Sequence, residues 1–128
     1  MKYYNEKTVS GSFEEVIDKA REELEKEGFG VLTEISVDET LKKKLDVDFR
    51  KYRILGACNA PYAHKALLAE EKIGTMLPCN VIVQEKKDGE VEVAAVNPVA
   101  SMQAIENENL KPIAEEIRNK LDKAIASL

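Results

Sequence analysis

The sequence predicts an α+β domain in which long helices cover one face of a mainly antiparallel sheet. Three observations support this fold class. Apolar residues recur at helical spacing in residues 13–24 and again in residues 110–128. Strand-like segments lie between these two stretches, and two of them, residues 79–86 and 90–96, are separated by a short turn. A turn that short makes the two strands antiparallel, which excludes a purely parallel sheet.

The N-terminal residues predict a strand followed by a helix. Residues 2–9 are aromatic and contain Thr and Val, a composition typical of a strand. Ser12 is expected to cap the helix, because its hydroxyl can accept a hydrogen bond from the Glu15 N–H. Gly28 suits the position directly after the helix. One apolar stripe is expected to face the core, and it consists of Phe13, Val16, Ile17, Ala20 and Leu24.

The next two segments predict a half-buried strand and a short helix. Residues 29–36 alternate in polarity, which is typical of a strand with one face on a core. The residues expected on that face are Phe29, Val31, Thr33 and Ile35. Asp38 is expected to be the N-cap of the short helix, which carries Leu41 and Leu45.

The central part of the chain predicts a buried strand, a helix and a hairpin. Residues 52–58 form the strand, and Pro61 suits the first turn of a helix that runs to about Lys72. Residues 79–86 and 90–96 form the hairpin. A three-residue loop with Gly89 in the left-handed region and a bulge would place Val83 opposite Val93, so that apolar side chains meet.

The C-terminal part predicts two helices. Asn97 and Pro98 are expected to open a short helix through Gln103, and the last helix is expected to begin near Asn109. Its apolar residues are Leu110, Ile113, Ala114, Ile117, Leu121, Ala124, Ile125 and Leu128. The predicted order is therefore β-α-β-α-β-α-β-β-α-α, in a single domain over residues 1–128.

Composition and charge limit the classes of function. The chain has 128 residues and a formal net charge of −5, so a nucleic-acid partner is not expected. No apolar run reaches the ~20 residues that a membrane span needs, so a membrane partner is not expected either. The N-terminus has no apolar leader, which favours a cytoplasmic location.

Two stretches of the chain resemble a known family. They are residues 54–67, Ile-Leu-Gly-Ala-Cys-Asn-Ala-Pro-Tyr-Ala-His-Lys-Ala-Leu, and residues 73–83, Ile-Gly-Thr-Met-Leu-Pro-Cys-Asn-Val-Ile-Val. Together they resemble domain of unknown function family 302, which is found in bacteria and archaea. The resemblance implies a small α+β fold similar to the TATA-binding-protein-like class and a homodimer. It implies no established activity.

One set of residues can carry chemistry. Cys58 ends a strand and precedes a helix N-terminus, where the helix dipole favours a thiolate. Asn59 and Asn80 each follow a cysteine and can hydrogen-bond a bound group. If Cys58, Cys79 and His64 converge, they form a Cys₂His set that suits zinc or copper and leaves one coordination position open.

Whether the two cysteines meet depends on strand direction. Antiparallel strands place Cys58 and Cys79 at one edge, whereas parallel strands place them at opposite ends; the family resemblance favours the antiparallel case. Three hypotheses follow. The chain is a dimeric module that binds a small ligand or metal ion near these residues, or a thiol-redox protein or enzyme, or a structural protein whose buried cysteines are inert.

Overall fold

A computed structural model describes residues 1–87 and 89–128 of the chain. The elements follow the predicted order, with one additional 3-10 helix. They are β1 (Tyr4–Ser10), α1 (Phe13–Lys26), β2 (Gly30–Ser36), α2 (Val37–Leu45), β3 (Tyr52–Cys58), α3 (Ala60–Ala69), the 3-10 helix (Glu71–Met76), β4 (Cys79–Lys87), β5 (Glu90–Val96), α4 (Pro98–Ser101) and α5 (Lys111–Ala126). The predicted α+β class is confirmed.

The five strands form one sheet in the order β1-β5-β4-β3-β2, and every neighbouring pair is antiparallel. One face of the sheet packs against α1 and α5. The main core joins inward side chains of β3, β4 and β5 to the apolar stripes of these two helices. Among these side chains, Leu55, Val83 and Val93 are completely buried.

The stripe of α1 is the predicted one, because its five residues are the buried residues of this helix. The Ser12 hydroxyl accepts a hydrogen bond from the Glu15 N–H at 3.2 Å. Gly28 has a φ of +88°, which a residue with a Cβ rarely adopts. In α5, most of the predicted apolar residues are buried, and Ile113 and Leu128 are partly buried against the core.

The hairpin has the predicted register. Val83 lies opposite Val93 and Val81 lies opposite Ala95. Gly89 has a φ of +78°, in the left-handed region. The predicted three-residue loop is wrong, because Lys87 belongs to β4 and pairs with Glu90. The bulge lies between Glu85 and Lys87 instead of at Gly89. Residue 88 of the predicted loop lies outside the described residues.

Two predictions about β2 and α2 are wrong. The register of β2 against β3 shifts between Val31 and Thr33, so the expected alternation breaks and Ile35 is 49% exposed. No residue of α2 is buried, and Leu45 is exposed. Asp38 is not the N-cap of α2, because the helix begins at Val37 and its N-cap is Ser36. The Asp38 carboxylate instead accepts a hydrogen bond from the Tyr52 N–H at 3.2 Å.

The helix α3 ends at Ala69, three residues before the predicted end. The Asn107 side chain donates to the Ala69 carbonyl at 2.8 Å and to the Glu70 carboxylate at 3.1 Å. Beyond this point the chain forms the 3-10 helix, which contains Gly74. A second, smaller core lies nearby and contains Ala66, Ile73, Met102, Leu110 and Ala114.

Within the part of the chain that the structure describes, no helix combines the length and the hydropathy that crossing a bilayer requires.

Candidate functional site

The antiparallel pairing of β3 with β4 brings the two cysteines to one end of the sheet. Ala57 lies directly opposite Cys79, and Cys58 is the next residue along β3. Both cysteines are free thiols and line the same cavity, which has a volume of about 260 Å³. The edge arrangement that the antiparallel alternative predicted is therefore present.

The cavity is bounded mainly by apolar side chains. Phe29 and Ile117 are buried and form part of its inner wall. Leu32 and Leu67 also line the cavity, although they are 69% and 46% exposed, so they mark its mouth. Asn59 is the one amide among the described lining residues. Such a cavity favours a ligand that is itself mostly apolar.

The two thiols differ in their surroundings. Cys79 is buried, and burial raises the pKa of its thiol to about 11, with a smaller contribution from the charge of Cys58. Cys79 is therefore a neutral thiol at neutral pH and a poor nucleophile. Cys58 is partly exposed and directly precedes Asn59, the N-cap of α3.

The raised pKa of Cys79 predicts a loss of stability at alkaline pH. The folded pKa of about 11 lies above the ordinary value of 9.0. The contribution of the neutral Cys79 thiol to the free energy of unfolding is therefore complete below about pH 9. It is lost as the pH rises through the pKa of about 11 that the thiol has in the folded protein. We expect the free energy of unfolding of the wild type to fall by roughly 2–3 kcal/mol relative to Cys79→Ala between these two pH values. Urea unfolding across this range measures it.

The matched control for this titration is Cys58→Ala. This variant keeps the buried Cys79 thiol and removes only the smaller contribution of Cys58, so its stability is expected to fall over the same pH range as that of the wild type, by slightly less. Parallel curves for the wild type and Cys79→Ala would contradict the assignment of a buried neutral thiol.

Asn59 has a structural hydrogen bond as well as a place in the cavity wall. Its side chain is buried, and its Nδ2 donates to the Glu27 carbonyl at 3.1 Å. This bond ties the junction of β3 and α3 to the end of α1. The packing here is tight, because a Cβ at Gly28 would lie 3.1 Å from the Asn59 Nδ2. The predicted ligand contact can therefore come only from the rest of the Asn59 side chain.

Asn80 and His64 lie apart from the cavity. Asn80 pairs with Gly56 and is exposed on the other face of the sheet, because neighbouring residues of a strand point to opposite faces. His64 is exposed on α3 and is not among the residues that line the cavity. In residues 1–87 and 89–128, no three His, Cys, Asp or Glu side chains are placed to hold a metal ion. The predicted Cys₂His set is therefore not assembled.

Sequence reasoning did not assign the apolar wall of this site to a cavity, and Leu32 and Ala63 show why. Leu32 reaches the mouth of the cavity from the irregular part of β2, which no local pattern indicated. Ala63 lines the cavity from α3, whereas a small apolar residue on a helix is by itself more typical of core packing. The spacing of apolar residues in a helix thus indicates which side chains share a face, but it does not indicate that this face borders a cavity.

Known proteins share this fold. The family model described as "Domain of unknown function DUF302" matches residues 5–128. The chain is similar to an uncharacterized conserved DUF302 protein from Bacillus stearothermophilus, of which a crystal structure is known. The two sequences are 30% identical, and the structures superpose over 98% of each chain with a TM-score of 0.90. An uncharacterized protein of Aquifex aeolicus (strain VF5) is 34% identical over 68 residues, which is 53% of this chain and 46% of that protein. The match thus spans about half the length of this curated relative.

Proposed function

The chain belongs to the DUF302 family, and we propose that it is a homodimeric binding module for a small, mostly apolar molecule. The proposed site is the cavity beside Cys58 and Cys79. The observation that carries this proposal is the cavity itself, about 260 Å³ in volume and walled mainly by apolar side chains. An apolar cavity of about 150 Å³ holds benzene, so the present one has room for a larger ring system.

The chemistry of the walls supports an apolar ligand over a charged one. Each Å² of apolar surface removed from water contributes about 25 cal/mol, and the walls offer mostly such surface. Cys79 acts here as a small, polarizable hydrophobe. Cys58 and the Asn59 carboxamide supply weak polar contacts that orient the ligand.

The exposed mouth adds a second argument for a ligand. Leu32 and Leu67 place apolar surface in water beside an apolar cavity. A ligand that fills the cavity also covers part of these two side chains. Burial of this surface contributes to the free energy of binding.

A thiol-redox role is the second candidate, because both thiols line one cavity. The pKa of Cys79 opposes it, since the thiolate is the reactive form and burial raises that pKa to about 11. We therefore rank ligand binding first.

Filling the cavity tests the proposed function. Ala63→Leu adds three carbons to a side chain that lines the cavity, and we expect it to weaken the binding of indole and benzene at least about 10-fold, or ~1.4 kcal/mol. The measurement is titration of each probe into the protein, followed by amide chemical shifts in NMR spectra.

Ala60→Leu is the matched control, because Ala60 is exposed on the same helix. Its affinity for both probes should stay within about twofold of that of the wild type. The proposal fails if the wild type gives no saturable shifts with either probe. It also fails if Ala63→Leu binds them as the wild type does.

A further inference from the structure

The face of the sheet opposite the helices carries a continuous row of apolar side chains. The register places Ile35 beside Ile54, Ile54 beside Ile82, and Ile82 beside Ala94. We call these four residues the apolar row. The row crosses the strands β2, β3, β4 and β5 at right angles to their direction.

No helix core covers the apolar row. Within the described residues, neither of the two hydrophobic cores includes any of its four members. Ile54, Ile82 and Ala94 are nevertheless at least partly buried, which reflects the neighbouring strands, and Ile35 is 49% exposed. Ile82 and Ala94 also line a shallow groove of about 600 Å³ on this face. A continuous apolar row of this kind is typical of an interaction surface.

The charged groups on one side of the apolar row are paired within the chain. Gln84 accepts a hydrogen bond from the Arg50 Nε and donates one to the Glu92 carboxylate, both at 2.7 Å. The Lys86 ammonium lies 3.9 Å from the same carboxylate. Because these charges compensate one another, this side presents no strong charge of one sign. Nucleic acid and highly charged peptides are therefore poor partners for this surface.

The residues next to the row on its other side are uncharged, and among the described residues charge enters only at the β1 edge, where the exposed Glu6 pairs with Ala94 and the Lys2 ammonium lies 5.4 Å from the centre of the Tyr4 ring. Gly56 and Asn80 lie opposite each other beside the row, and Tyr4 follows on the same face at the far edge of the sheet. In the described part of the chain, the Asn80 carboxamide makes no hydrogen bond of the protein's own. It is free to pair with a partner.

We propose that the apolar row and its flanks form the interface between two copies of this chain. The proposal rests on the homodimer of the proposed function and assigns its surface. In a two-fold dimer the same patch must complement itself. A two-fold axis along the row places row against row, and it places the Gln84 side of one copy against the Asn80 side of the other. Amide donors and acceptors then face each other.

The size of the face suits this role. Five strands at about 4.8 Å and seven residues at about 3.3 Å give a flat outline of roughly 550 Å². The accessible surface of side chains exceeds the outline of the sheet, so the face approaches the ~800 Å² per partner of a standard interface.

A charge at the centre of the row tests the proposal. The wild type is expected to sediment as a dimer, and Ile82→Lys is expected to raise the dissociation constant of the dimer at least about 30-fold. Analytical ultracentrifugation over a range of protein concentrations measures both. The control is Leu68→Lys, which introduces the same charge at a residue of α3 that is 76% exposed, and it should dimerise as the wild type does.

Circular dichroism of each variant shows that it is folded. If Ile82→Lys does not fold, Ile35→Lys replaces it, because Ile35 lies in the same row and is half exposed. A wild-type monomer overturns both the homodimer and this interface. A dimer that both row variants leave intact overturns the interface alone. Indole binding by the monomeric variant is read separately, so a failure of the dimer does not stand for a failure of the cavity.

Discussion

Replacing Gly56 by Ala is expected to lower the free energy of unfolding by about 1–3 kcal/mol, the usual cost of overpacking. A Cβ at Gly56 would lie 2.1 Å from the Thr33 Oγ1 and 2.8 Å from the Pro78 Cγ. Neither distance is compatible with the present packing, so the Thr33 side chain and the Pro78 ring must shift. Urea unfolding of Gly56→Ala against the wild type measures the loss.

Gly30→Ala is the matched control, because Gly30 lies in the adjacent strand β2 and a Cβ there meets no described atom within 4 Å. Its stability should remain within about 0.5 kcal/mol of the wild type. Adding Thr33→Ala to Gly56→Ala removes the nearer of the two clashes and should restore part of the lost stability. If Gly56→Ala is as stable as Gly30→Ala, the contact with Thr33 is not the reason for glycine here.

Replacing Leu121 by Ala is expected to destabilise the protein by about 2–5 kcal/mol. Leu121 is 1% exposed and belongs to the main core, where α5 packs on the sheet. The substitution removes apolar contacts and leaves a cavity, because the surrounding helices and strands relax only partly. The midpoint of urea unfolding should fall without a change in the slope of the transition.

Leu68→Ala provides the comparison with the same chemistry at an exposed position on α3. We expect a change of less than about 0.5 kcal/mol for this variant. Equal losses for the two substitutions would mean that α5 does not contribute the core contacts described above.

Local pattern was sufficient to predict the elements whose residues face one core. The stripe of α1 was predicted residue by residue, because helical spacing and one apolar face determine which side chains are buried. The hairpin register followed from matching Val83 with Val93 and Val81 with Ala95. In both cases the deciding contacts lie close in the sequence.

The departures arise where distant residues decide the outcome. The helix α3 ends where Asn107 donates to the Ala69 carbonyl, a contact across 38 positions of the chain. Asp38 is drawn to the Tyr52 N–H of β3 instead of capping its own helix. A single sequence carries no local signal for such contacts.

The candidate site was predicted in part. Cys58, Asn59 and Cys79 line one cavity, whereas Asn80 does not. The signal for Asn80 was present in the sequence, because Cys79, Val81 and Val83 alternate on the core face, so the residue between the first two must point away from it. The exposure of His64 depended on how α3 turns against α5, which spacing alone does not define.

The irregular pairing near Leu32 has a consequence for aggregation. Strand β2 lies at the margin of the sheet, where unpaired backbone groups are a template for adding foreign strands. The shift between Val31 and Thr33 interrupts that template halfway along its length. Growth of the sheet into open-ended fibrils through this margin is thereby disfavoured, whereas the proposed face-to-face dimer does not use this edge.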